Sequence, residues 1–135
     1  MKKSIFTLFL LLSSVATVSA QSVTNKAVVA NQSYVNGVCT SISTLAATVM
    51  QARQQNINPQ QVKGLINQGL QKADTSLNNK IVKQTLSDIV DEAQLYPIYN
   101  TENEKKFLAN AYSQFVLNRC KLNAANLVKA INQSK

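Results

Sequence analysis

The 135-residue chain contains no histidine. That removes the side chain whose ordinary pKa lies nearest neutrality, the commonest metal ligand and the usual partner of a catalytic nucleophile. Cysteine is limited to Cys39 and Cys120, far apart and without a cysteine neighbour, which is not the C-x-x-C spacing of a redox-active pair. Acidic residues are few, six Asp and Glu against fourteen Lys and Arg, so little is left for carboxylate chemistry. With only three glycines and no segment that alternates apolar and polar residues between hairpin turns, the pattern argues against a β fold. There is no internal repeat, no low-complexity tract, and neither the dense basic run nor the module of a nucleic-acid-binding protein.

What is present begins with a leader. Lys2 and Lys3 open the chain, Ile5 to Leu12 form a short apolar run, and Val18-Ser19-Ala20 places small residues at a cleavage site. This is the layout of an export signal. The apolar run, with Thr7 within it, is about half of the roughly 20 residues a spanning helix needs, and Ser13, Ser14, Thr17 and Ser19 dilute the remainder of the leader. The expectation is a signal peptide over residues 1–20, cleaved after Ala20, with no lipid anchor because no cysteine lies at the cleavage point. The product is periplasmic or secreted, and no later segment is apolar enough to cross a membrane. Without Lys2 and Lys3 the remainder carries 12 basic and 6 acidic residues, a formal +6. Such a charge suits acidic envelope surfaces as well as solubility. The lysines, Lys63, Lys72, Lys80, Lys83, Lys105, Lys106, Lys121 and Lys129 among them, are spread along the chain as on a solvated helical exterior.

Residues 21–32 show no period and are expected as a loose arm, leaving residues 33–135 as one helical domain. A first helix starts between Ser33 and Val38, and Val35, Val38, Ile42, Leu45, Val49 and Ala52 recur at three- and four-residue steps. It ends near Gln55, before the punctuation of Asn56-Ile57-Asn58-Pro59. Asn58 caps a second helix with Pro59 at its first position and Gln61 three residues on, as in a capping box. Val62, Leu65, Ile66 and Leu70 give its apolar side, and it stops near Lys72. Gly64 and Gly69 either weaken it or admit a close backbone. A third helix, capped at Asp74 or Thr75, carries Leu77, Ile81, Val82, Leu86, Ile89, Val90 and Ala93 until Pro97. Thr101 and Glu104 open a fourth, whose inward face is Leu108, Ala111, Tyr112, Phe115 and Val116. A last turn or short helix, divided from it at Asn123 or continuous with it, holds Leu127, Val128 and Ile131.

The predicted fold is all-α, a compact bundle of four or five helices. Cys39 lies early in the first helix and Cys120 late in the fourth, so antiparallel packing brings them to one end. In an oxidising compartment an even pair of this kind forms a structural disulfide, and a bridge then removes the last thiol nucleophile and thiolate metal site. No cofactor or metal is expected. Asp88, Asp91 and Glu92 are the one tight acidic group. They read either as a wet face near Lys80 and Lys83, or as coupled carboxylates able to share a proton or a calcium ion. Glu102 and Glu104 suit a helix N-terminus.

The candidate binding surface is Arg53, Tyr96, Ile98 and Tyr99. Tyr96-Pro97-Ile98-Tyr99 concentrates aromatic and apolar residues at a helix break, either to seal the base of the core or to meet a partner. Arg53 is a dipole partner of its helix or part of that surface. The spacing of Cys39, then Met50-Gln51-Ala52-Arg53-Gln54-Gln55, then Ala93 to Pro97, then Cys120, resembles small, largely uncharacterised secreted helical proteins of Gram-negative bacteria. The chain departs from their form in having Ala93-Gln94-Leu95-Tyr96-Pro97 where Ala-Tyr and a later Pro would stand. That resemblance implies a helical fold and an exported setting but no activity. The functional expectation is a non-enzymatic, exported interaction protein of the bacterial envelope that binds or restrains a protein partner or envelope component. The alternative is a carrier of a small ligand or lipid in an apolar cavity between helices. An enzyme built on Asp88, Asp91 and Glu92 is the third reading.

Overall fold

The computed structural model describes residues 32–72 and 80–133. The expected leader, most of the N-terminal arm, the Asp74 or Thr75 cap and Leu77 lie outside the described residues. Within them the fold is all-α, with five helices and no strand among the described residues: α1 Gln32–Gln54, α2 Pro59–Lys72, α3 Lys80–Ala93, α4 Glu102–Leu122 and α5 Ala124–Gln133. Asn123 separates α4 from α5 and closes α4 with its N–H on the carbonyls of Arg119 and Cys120. No helix among these residues is long and apolar enough to cross a membrane.

α1 is the central element, packed chiefly against α4 and also against α3, α5 and α2. Its expected stripe is buried throughout, and so are Cys39, Ala46 and Met50 to its sides. A helix enclosed on several sides needs this wider apolar surface. It runs through Asn36-Gly37 without a break, because Val35 and Cys39 on either side of that pair are fully buried beside Ala124 of α5. Tertiary burial outweighs the glycine's roughly 1 kcal/mol penalty. Ser43 and Thr48, though buried, spend their hydroxyls on carbonyls one turn back in the same helix, Thr40 and Thr44.

The helix ends are chemically specified. α1 closes with Asn56 at φ 56°, its N–H on the Arg53 carbonyl and the Ile57 N–H on that of Ala52. This is a Schellman cap with asparagine in the left-handed position usually given to glycine. At α2 the Asn58 side chain accepts from the Gln60 N–H at 2.8 Å, with Pro59 in the first position as expected. The cap is one-sided, since Gln61 is exposed and makes no return bond. A Cβ on Gly64 would meet nothing within 4 Å, so no backbone among the described residues approaches it. α3 ends at Ala93, short of Pro97. Gln94, Leu95 and Tyr96 already reach back three residues to Asp91, Glu92 and Ala93, because a residue before proline is turned away from helical geometry. Thr101 and Glu104 form the full capping box of α4.

Val62, Ile66 and Leu70 of α2 and Val82, Leu86, Ile89, Val90 and Ala93 of α3 join α1 in the main core. α4 contributes Ala109, Tyr112 and Val116, while Leu108 is only partly buried. Ala111 and Phe115 correct the expected inward face, since both are exposed. α4 turns one arc to α1 and the opposite arc to water, and its apolar residues lie on both. Leu127 and Val128 of α5 pack on the cluster of Val35, Cys39 and Ala124, and the Ile131 side chain falls outside the described set.

Antiparallel packing of α1 and α4 brings Cys39 and Cys120 together as a disulfide with Cα atoms 5.6 Å apart. The Ser113 hydroxyl donates to the Ser43 carbonyl at 2.8 Å further along the same seam. The bridge spans a sequence separation of 81, long enough that chain entropy alone gives about 4 kcal/mol. In the core, the buried Tyr112 hydroxyl donates to the Ile89 carbonyl at 2.9 Å. Burial pushes the Tyr112 phenol above its ordinary range, and the Glu92 charge pushes in the same direction. For an acid raised by folding, the stabilisation is complete below the unfolded tyrosine value of about 10 and declines as pH rises past it. Urea denaturation should therefore find Tyr112→Phe about 1 kcal/mol weaker at neutral pH, from the lost hydrogen bond. Above about pH 10 the variant should lose less further stability than the parent chain; equal alkaline losses would contradict this account of Tyr112.

Candidate functional site: the clamped loop between α3 and α4

The last turn of α1 ends Met50-Gln51-Ala52-Arg53-Gln54, and its 3.6-residue period sets Gln54 directly after Met50 on the buried side. Gln54 is 3 % exposed, a costly place for a primary amide unless every polar atom is used. The amide is used on both sides. Nε2 donates to the Pro97 carbonyl at 2.8 Å, and Oε1 accepts the Tyr99 N–H at 2.8 Å. Nε2 also lies 3.8 Å from the Met50 sulfur. Beside it, Arg53 donates from Nε and Nη2 to the Tyr96 carbonyl, each at 3.2 Å. Two consecutive side chains of α1 thus bind three backbone groups of the α3–α4 loop, residues 94–101. A third contact fixes where the loop begins, from Gln94 Nε2 to the Val90 carbonyl at 3.1 Å.

Each predicted surface residue now has a place. Tyr96 is half-buried with its ring edge-on to Tyr112 at 5.3 Å between centroids, so it seals the core. Ile98 does not, being 42 % exposed, and Tyr99 is 36 % exposed. Leu95, which sequence reasoning does not single out, is 84 % exposed. Arg53 sits in the last turn of its helix, as a dipole partner would, but its hydrogen bonds go across to the loop. The two stretches Met50–Gln55 and Ala93–Pro97 that stand out in the sequence meet here. Sequence reasoning misses Gln54, and no signal marks it, because the burial of Met50 four residues earlier is itself visible only in the structure.

The aromatic row continues outward. Phe115 stacks beside Tyr112 with centroids 6.5 Å apart, and the Arg119 guanidinium lies 5.0 Å from the Phe115 ring centre. Arg119 in turn grips Glu92 through two bonds, 3.1 and 2.7 Å, and that bond holds its pKa above the ordinary value. Phe107 at 74 % and Leu122 at 87 % exposure extend apolar surface along the outer side of α4.

The acidic trio does not act as one group. Asp88 accepts from Gln84 of its own helix at 2.8 Å. Asp91 pairs with Lys63 of α2 at 2.7 Å, and Glu92 faces α4. The single wet face expected from the sequence is therefore split, because α3 lies between α2 and α4 and its carboxylates serve different neighbours. No cluster of three metal-ligating side chains occurs among the described residues. At α4, Lys105 holds the exposed Glu102 carboxyl below its ordinary value.

Compared with protein-family models, with curated proteins and with solved structures, the chain matches none. The site is therefore read from its own geometry: a surface loop fixed by partly buried hydrogen bonds and carrying apolar side chains into water. Gln54→Ala should cost about 2 kcal/mol in urea denaturation, since it frees the Pro97 carbonyl and the Tyr99 N–H together. A cost below about 0.5 kcal/mol, the usual range of a plain surface change, would mean that the amide is not holding the loop.

Proposed function

We propose that this chain is a non-enzymatic, exported interaction protein of the bacterial envelope, and that the α3–α4 loop is its docking surface for a protein partner. The observation that carries this reading is the combination of rigidity and exposure at one place. Three backbone groups of the loop are tied down by Arg53 and Gln54, yet Leu95, Ile98 and Tyr99 face water. Free exposure of neighbouring large apolar side chains is a feature of binding surfaces, and a loop already ordered loses little entropy when a partner arrives.

The leader-like first twenty residues and the disulfide support an oxidising, exported setting. The dispersal of Asp88, Asp91 and Glu92 onto separate partners supports binding over carboxylate catalysis. For the full chain expressed with its own leader, immobilised oxidised protein should retain a saturable partner from envelope extract. Retention should fall at least about tenfold, a loss of 1.4 kcal/mol, in Ile98→Ser with Tyr99→Ser, with unchanged circular dichroism. Native mass spectrometry of the unmixed protein should give the mass of the polypeptide alone. A co-purifying lipid would favour a carrier instead, and retention indifferent to positions 98 and 99 would remove the loop from the docking role.

A further inference from the structure

The docking role of the α3–α4 loop, on which this inference rests, raises the question of the chemistry that docks there. A guanidinium has five N–H donors, and Arg53 spends two, from Nε and Nη2, on one oxygen of a neutral carbonyl. The ion pairs among the described residues belong to Lys63, Lys105 and Arg119. The Arg53 charge is therefore not neutralised by a carboxylate there, and the residue is partly exposed. The edge formed by Nη1 and the second Nη2 hydrogen makes no hydrogen bond among the described residues, and two parallel N–H groups on such an edge match the two oxygens of a carboxylate. The bonds to Tyr96 already hold the guanidinium in place.

We infer that Arg53 reads a carboxylate on the partner, so that the segment docking on this loop is an acidic peptide with an Asp or Glu next to an apolar residue. The apolar neighbour seats on Ile98 and Tyr99. From the Tyr96 carbonyl to Tyr99 is at most about 11 Å of chain, a span that two or three residues of a bound peptide cover. A phosphate-bearing partner fits less well. Phosphate sites gather several cations or a row of backbone N–H groups, whereas this loop offers one guanidinium and its Tyr99 N–H is already given to Gln54. The formal +6 of the chain without its leader, 12 basic against 6 acidic residues, draws acidic partners toward it.

The probe is a library of random twelve-residue peptides selected on the oxidised full chain, with the recovered sequences synthesised and titrated by calorimetry. Recovered peptides should share an Asp or Glu beside an apolar residue. Changing that acid to its amide should weaken binding on the order of tenfold or more, a test that leaves the protein unaltered. Arg53→Lys, which keeps the charge and loses the fork, should weaken the acidic peptide by a larger factor than its amide form, because the loss of the Tyr96 bonds is common to both. Peptides that depend on Ile98 and Tyr99 yet carry no acid, or bind equally as the amide, would overturn the carboxylate inference while leaving the docking role intact. Displacement of the peptide by millimolar inorganic phosphate would also overturn it, in favour of a general anion site. Recovery of peptides indifferent to Ile98→Ser and Tyr99→Ser would overturn both.

Discussion

The antiparallel seam between α1 and α4 is the constraint on which the rest of this fold depends. One end is closed covalently by Cys39–Cys120. From the last turn of α1, Arg53 and Gln54 hold the loop that leads into α4. A sequence separation of 43 lies between Arg53 and Tyr96, and 81 between the cysteines. Both long loops are therefore closed along a single helix pair. With that seam fixed, α3 lies where Ile89 can take the Tyr112 hydroxyl and Glu92 can meet Arg119. α2 then covers α3, with Lys63 reaching Asp91 at their boundary.

The two closures differ physically. The disulfide acts mainly by limiting the unfolded chain and places no demand on its surroundings beyond a small apolar nest of Val35, Ala124 and their neighbours. The Gln54 clamp acts in the folded state. A buried amide gives little net stability when its bonds are made, and costs much more when they are broken. That asymmetry makes the loop's conformation specific: a loop that covers Gln54 in any other arrangement leaves the amide buried and unpaired. Rigidity at residues 96–99 thus comes from polar groups beneath the loop, which frees Leu95, Ile98 and Tyr99 to remain exposed.

Much of this is legible in the sequence because local chemistry and tertiary packing agree. Asn58-Pro59 and Thr101 with Glu104 mark helix starts that the structure keeps; the apolar steps of α1 are buried, as are most of those of α2 and α3, with Leu65 and Ile81 only partly so. The cysteine pairing comes from helix order and direction. Phe115 and Ala111 are misplaced by the pattern because α4 has apolar residues around most of its circumference, and periodicity cannot say which arc faces the neighbour. Gln54 is illegible for a different reason. It stands among Gln51 and Gln55, and only the contact with a loop more than forty residues away distinguishes it. Arg53 stands out in the sequence, but its bond to the Tyr96 carbonyl is a long-range fact that spacing does not encode.

The central claim is that the exposed loop is held as firmly as the helices it joins. Backbone 15N relaxation on the oxidised full chain tests it most directly, at the amides of Leu95, Tyr96, Ile98 and Tyr99. The account predicts order parameters of about 0.8 or higher, level with α1 and α4, whereas values below about 0.6 at these residues would contradict it.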